Sequence, residues 1–201
     1  MTQTGDTMTA AMLELMTARR GHFQLESGHH GALWLDLDGL FADSRRIAPF
    51  VERLAGTLRP YEPSIVCGPL LGGAFLAQLV AQTLGVGFCF TERVMPSGNA
   101  GLYRARYRLP PAFADRVRGQ RTAIVDDVLS AGSALHGTCV ELDAHAAIPV
   151  VAGALLMLGT AGADRLAEHG VPVESVARQA FDMWPPASCP LCAAGSPLEQ
   201  P

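Results

Sequence analysis

The chain of 201 residues contains no lysine; all fifteen of its basic residues are arginines. Any anion it binds must be held by guanidinium groups, backbone amides, hydroxyls, histidine or a metal ion, never by an ammonium group. Positive charge is scarce in sum as well. The formal net charge of -4 and a pI near 5.8 leave no broad electrostatic footprint for nucleic acid, so an anion site must be local. Long apolar runs are also missing: none reaches the roughly 18 residues that cross a bilayer. The opening stretch MTQTGDTMTAAMLELMTARR lacks the basic-then-apolar order of a secretory signal. A soluble, cytoplasmic protein with no membrane or nucleic-acid partner is expected. The five cysteines are an odd number in a chain long enough to bury a core, which argues against a disulfide framework and for free thiols or a metal site.

What is present is a regular alternation. Met8, Met12, Leu15 and Met16 recur at helical steps, so the spacing predicts a helix over residues 7–20. A polar loop then leads into a strand at residues 33–37, and residues 47–58 form a helix ended by Pro60 and Pro63. From SIVCG onward the order is strand, PLLGG turn, helix closed by Gly85, strand VGFCFTE, a loop, an exposed strand with alternating Tyr and Arg, strand TAIVDD, turn, and a helix over residues 133–144. Strand VVAGALLML, a short helix over residues 163–169 and strand VPVESVA follow. Strands alternating with helices of about a dozen residues specify an α/β fold, a mainly parallel central sheet flanked by helices. The organisation expected is one domain over residues 1–186, with residues 1–40 as a small hood, and a Cys/Pro-rich tail over residues 187–201.

The stretch RTAIVDDVLSAGSAL sets two acids, Asp126 and Asp127, side by side where a strand ends and a turn of small residues begins. In water at a strand terminus the pair needs no further explanation. In an open parallel sheet, however, ligands collect beyond the carboxyl ends of strands. The turn Ser130, Ala131, Gly132, Ser133 lets a phosphate approach the main chain, and the next helix offers unpaired amides and the positive end of its dipole. A sugar phosphate can lie there with its phosphate on the turn and its hydroxyls on the carboxylates.

The same stretch resembles the 5-phosphoribosyl 1-pyrophosphate (PRPP) signature of type I phosphoribosyltransferases. IVCGPLLGGAFLAQLVAQTLG is similar to that family's pyrophosphate-binding strand, loop and helix. GHFQLESGHH resembles the GHFxLxSG stretch of the orotate phosphoribosyltransferases, in the subgroup with an ER dipeptide, here Glu92 and Arg93, and a CPLC tail, here residues 189–192.

The resemblance implies transfer of ribose 5-phosphate from PRPP to a nucleobase, orotate in the first place, giving a nucleoside 5'-monophosphate and pyrophosphate. It implies roles for Asp126 and Asp127 on the ribose hydroxyls and on a Mg2+ ion held partly through water and PRPP. Val128, Leu129, Ser130, Ala131, Gly132 and Ser133 would form the 5'-phosphate loop. Gly68, Pro69, Leu70, Leu71 and Gly72 would hold pyrophosphate. Arg93 and Arg104 would supply cations, with residues 95–103 as a mobile loop, and Phe23, Ser27 and Gly28 would border the base. A homodimer with shared sites is implied too.

The sequence departs from the family in several places. Glu26 stands where a lysine is common, the mobile loop has no lysine, Ala131 replaces a hydroxyl, and Gly31 stands where serine is frequent. A PRPP-binding regulator without catalysis, or a transferase for another base, therefore stays open. Cys189 and Cys192 have metal-ligand spacing without a second cysteine pair, which leaves a structural Zn2+ completed by histidine or by a partner chain beside a tail of free thiols. Cys67, Cys89 and Cys139 lie in apolar surroundings as small hydrophobes. His22, His29 and His30, in a polar stretch near the implied base pocket, are read as surface residues ahead of acid/base groups. Trp34 and Phe23 offer flat rings either to a heterocycle or to core packing.

Overall fold

The computed structural model describes residues 3–25, 27–37, 39–94 and 106–200. Helix α1 (Gln3–Leu15) buries Met12, with Met16 buried just beyond it, and ends earlier than the spacing predicts. Thr17 turns the chain with φ 44°, and Arg19 and Arg20 enter strand β1 (Arg19–Gln24) instead of a last helical turn. Strand β2 (His30–Trp34) likewise starts before its expected position. The reason is local: Gly28 takes φ 84° and the Leu25 amide donates to the His29 carbonyl at 2.8 Å, closing a hairpin that pairs β2 antiparallel with β1.

Helix α2 (Ser44–Leu58) is capped by Asp43, whose carboxylate accepts from the Arg45 amide at 3.0 Å, and it buries the stripe Ile47, Phe50, Val51, Leu54 and Leu58. Strand β3 (Ile65–Pro69) then feeds helix α3 (Gly72–Leu84), which stops at Gly85 with φ 73°, a left-handed cap. Strands β4 (Gly87–Val94) and β5 (Arg106–Arg108), helix α4 (Pro111–Val117), strand β6 (Arg121–Leu129) and helix α5 (Ser133–Ala144) follow. Strand β7 (Ile148–Leu158), helix α6 (Ala161–Ala167), strands β8 (Val173–Gln179) and β9 (Met183–Trp184) and helix α7 (Pro190–Ala193) complete the order. Helix α4 has no counterpart in the sequence reading, because seven residues are too few to show a period.

The main sheet runs β5-β4-β3-β6-β7-β8, parallel throughout except for the antiparallel edge strand β5. Alternate residues feed two separate layers. Val66, Ala123, Val125, Val151 and Leu155 pack with α1, α2 and α3, whereas Cys67, Ile124, Ala152 and Ala154 pack with α4, α5 and α6. The chain steps from β3 to β4 on one side and then returns to β6 on the other. The crevice between the carboxyl ends of β3 and β6 is thus the point where strand order reverses, the expected place for a ligand. Cys67, Cys89 and Cys139 are buried, and desolvation followed by the nearby Asp143 pushes the Cys139 thiol up to about 12.

Leu54 is fully buried between α2 and β7, against Gly153. Its replacement by Ala should lower unfolding free energy by about 2–5 kcal/mol, measured as a reduced urea midpoint at unchanged slope. An unaltered midpoint would mean this layer is not the core.

Candidate active site

The acidic pair does not end its strand. Strand β6 continues to Leu129, paired with β7, while its pairing with β3 stops at Ile124. Beyond that point the Asp127 amide donates to Asp126 Oδ1 at 3.0 Å and the Val128 amide to Asp127 Oδ1 at 2.7 Å. The carboxylates thus stand in where β3 no longer reaches. Asp127 is only 7 % exposed, which rules out the reading in which both acids simply face water.

Glycine on the neighbouring loop makes room for them. A Cβ at Gly72 would collide with Asp127 Oδ2, one at Gly73 would lie 2.8 Å from Asp126 Oδ1, and one at Gly68 would collide with the Gly73 carbonyl. The PLLGG turn and the acidic pair are therefore pressed together, and both acids sit beside the first turn of α3, where a helix dipole favours negative charge.

These segments open onto a cavity of about 760 Å³. Its walls include Pro69, Leu70, Leu71 and Gly72 from the β3–α3 turn, Asp126, Asp127, Val128 and Leu129 from β6, and Ser130, Ala131, Gly132 and Ser133 from the next turn. Gly132 is the N-cap of α5 at φ 74°, and a Cβ there would come within 2.8 Å of the Gly162 backbone. No side chain caps α5, and none caps α3, whose N-cap is Leu71. Two helix N-termini whose N-cap residues supply no side-chain cap thus border one cavity, with the acids between them.

The hood forms the remaining wall. Leu25, Ser27, Trp34 and Leu35 line it, joined by Phe181 from the segment between β8 and β9, and Ser27 Oγ lies 3.0 Å from His29 Nδ1 in the turn that Gly28 shapes. A Cβ at Gly31 would meet the Phe181 ring at 2.6 Å, which explains glycine at that position.

Other expected site residues lie elsewhere. Phe23 is buried, its ring centre 6.1 Å from Trp34, and Trp34 rather than Phe23 reaches the cavity. Gly68 and Gly28 shape their turns without lining it. Arg93, at the carboxyl end of β4, is exposed and does not line it either; it stands opposite Tyr107, which does, and directly opposed residues share a sheet face. Arg104, Glu26 and the loop over residues 95–103 fall outside the described residues.

Sequence reasoning missed Arg19, the only cationic side chain among the described lining residues. It lies over the Phe23 ring at 5.6 Å and 3.9 Å from Glu199. The helix expected over residues 7–20 absorbed it. The histidines were misplaced as well: His22, His29 and His30 are all buried, and burial followed by a neighbouring imidazole holds His29 and His30 below the ordinary value.

The family model for the phosphoribosyl transferase domain matches residues 40–182, which holds both turns and the acidic pair. The chain belongs to the phosphoribosyltransferase family. An orotate phosphoribosyltransferase of Thermotoga petrophila is 31% identical over 193 residues, 96% of this chain and 92% of that one. Among solved structures, the orotate phosphoribosyltransferase of Aeropyrum pernix superposes with TM-score 0.65 at 24% identity, covering 85% of this chain and 93% of the other. The adenine phosphoribosyltransferase of Thermoanaerobacter pseudethanolicus superposes with TM-score 0.62 at 21% identity over 73% and 88%. Fold neighbours of this phosphoribosyltransferase thus carry the names of different bases, and the fold alone does not choose among them.

Asp127→Asn keeps the shape and the acceptor for the Val128 amide but removes the charge. PRPP affinity should fall roughly 10- to 100-fold, the loss of a charge-assisted hydrogen bond of about 1.5–3 kcal/mol, with little change in melting temperature. If instead stability and affinity fall together, the carboxylate is structural. Gly132→Ala should weaken PRPP binding by displacing the turn from Gly162 and forcing a side chain to positive φ; unchanged calorimetric affinity would show that the turn does not hold phosphate.

Proposed function

We propose that the protein transfers ribose 5-phosphate from PRPP to orotate, releasing pyrophosphate and forming orotidine 5'-monophosphate, a step of pyrimidine nucleotide synthesis. The observation that carries this reading is the pair of uncapped helix N-termini on one cavity with Asp126 and Asp127 between them. PRPP has the matching pattern: a phosphate monoester at one end, a diol in the middle and a pyrophosphate at the other. The α5 turn suits the monoester, the carboxylates suit the diol hydroxyls, and the α3 turn suits the departing pyrophosphate.

In the reaction the bond from the anomeric carbon to the pyrophosphate oxygen breaks, with its electron pair leaving on oxygen, and a bond to the base nitrogen forms as that nitrogen gives up its proton, which the departing pyrophosphate can take. Positive charge develops on the sugar next to two carboxylates, and negative charge grows on the leaving group next to α3 and its amides. Electrostatic complementarity to both changes, with the base held close by the hood, supplies the rate. Trp34 and Phe181 give a flat apolar wall suited to a heterocycle, and Arg19 is the cation at that wall for an anionic base. Arg93 acts at the rim of the pyrophosphate side.

The oxygen donors of Asp126 and Asp127 fit a hard divalent cation that keeps most of its waters, so these residues would hold Mg2+ with PRPP. Bound there, Mg2+ would neutralise pyrophosphate charge. Leu71 and Phe75, 64 % and 46 % exposed, leave apolar surface at the β3–α3 edge that a second copy would cover, in keeping with a homodimer. A cytoplasmic location agrees with these substrates.

Pyrophosphate release measured with PRPP and a panel of bases tests the proposal. Turnover with orotate, and none with adenine, guanine or uracil, is expected. Calorimetric PRPP binding without turnover on any base would instead make the protein a regulator, and turnover on a purine alone would move it to another base.

A further inference from the structure

Outside the cavity, four ligand-bearing side chains from distant parts of the chain meet at one point. His22 and His30 come from the hairpin β1–β2, and Cys189 and Cys192 from the segment around α7. One donor atom of each lies within 4.8 Å of all the others. His22 Nε2 is 3.0 Å from His30 Nδ1, 3.4 Å from Cys189 Sγ and 3.7 Å from Cys192 Sγ, and Cys192 Sγ is 3.3 Å from His30 Nδ1.

Hydrogen bonding within the protein does not account for this convergence. The other nitrogen of His22, Nδ1, faces the Ser196 carbonyl at 3.0 Å, and a carbonyl only accepts. Nδ1 therefore carries the proton, and in the neutral ring Nε2 presents a bare lone pair to the cluster. Three neighbours crowd that single lone pair, although one hydrogen is all it accepts well. A cation at the centre would satisfy all four donors together. The outward Nδ1–H to carbonyl bond is the outer contact that fixes tautomer and ring orientation in metal-bound histidines.

The spacing fits one kind of ion. A tetrahedral centre with bonds of about 2.0–2.1 Å to nitrogen and about 2.3 Å to sulfur separates its ligand atoms by roughly 3.3 Å for a nitrogen pair and roughly 3.6 Å for nitrogen and sulfur. The separations above cluster around these lengths. Two thiolates with two imidazoles are a donor set that zinc favours over magnesium or calcium.

We propose that His22, His30, Cys189 and Cys192 form a structural zinc site that fastens the C-terminal segment to the hood. Four protein ligands leave no open position, so the ion has a structural and not a catalytic role. Each cysteine gives up its thiol proton to become a thiolate ligand, so binding of one Zn2+ releases two protons to solvent and changes no oxidation state.

The surrounding contacts show what the staple holds. The Glu199 amide donates to the His22 carbonyl at 2.8 Å and the Gln24 amide to the Glu199 carbonyl at 3.0 Å, so the chain end runs beside β1, while β9 pairs with the other side of β2. The hairpin thus tied on both edges carries Trp34 and leads through the turn containing Ser27, both of which border the cavity. The segment beyond residue 187 is an integral edge of the hood.

Elemental analysis of the full-length protein purified without chelator, together with titration of the metal-stripped protein with Co2+, tests the site independently of any catalytic assay. About one zinc per chain is expected, and cobalt should give the intense visible bands of tetrahedral geometry with a thiolate charge-transfer band. Cys192 is exposed, so Cys192→Ser should fold, hold well under one equivalent of zinc and lose most of that charge-transfer band. Chelation should lower the wild-type melting temperature by on the order of 5–10 °C and leave that of the variant nearly unchanged. Absence of zinc with a weak octahedral cobalt spectrum, or zinc content equal in wild type and Cys192→Ser, would overturn the proposal.

Discussion

Negative charge in this protein is placed where the backbone is positive. Two parallel strands, β3 and β6, lie side by side where the sheet reverses its order, β6 running on past the end of β3, and each is followed by a helix whose N-cap residue makes no side-chain cap. Everything else at the site follows from filling the space between those two helix ends. Glycine at positions 68, 72 and 73 lets one turn settle onto the carboxylates of the other strand, and Gly132 lets the second turn settle onto α6. The acids in turn occupy the gap left by β3 and accept main-chain hydrogen bonds there. A chain without lysine can still bind a ligand with two anionic ends in this way, because the cations are partial charges fixed in the backbone rather than ammonium groups on flexible stems.

The part of this arrangement carried by local pattern was legible in the sequence. Helix α5 has the bounds that its spacing predicts, Gly85 closes α3 as expected, and the alternation of strand and helix leads directly to the parallel sheet and its two layers. The acidic pair and both turns were legible too, since a run of apolar residues, adjacent acids and small residues in that order marks one strand and the loop after it. Their mutual contact was not, because Gly72 and Asp127 are far apart in sequence and only the sheet order brings them together.

The hood shows the opposite case. Its histidines and arginines look like solvated loop residues when read singly, and polarity alone placed them at the surface. The histidines are covered because the chain end returns to run beside β1 and because β9 pairs with β2, contacts between residues more than 150 positions apart, whereas Arg19 and Arg20 stay exposed. Arg19 disappeared into an apparent helix and Trp34, not Phe23, faces the cavity, since a bulge in β1 between Arg20 and Phe23 shifts the register by which alternation assigns a face.

The central claim is that the cavity holds two anionic groups at once, one at each helix end. Calorimetric titration of ribose 5-phosphate into the protein, with and without saturating pyrophosphate and Mg2+, measures this most directly. The account predicts that ribose 5-phosphate binds in both cases, with affinity retained or raised when pyrophosphate is present. Abolition of ribose 5-phosphate binding by pyrophosphate would mean a single shared anion site and would contradict it.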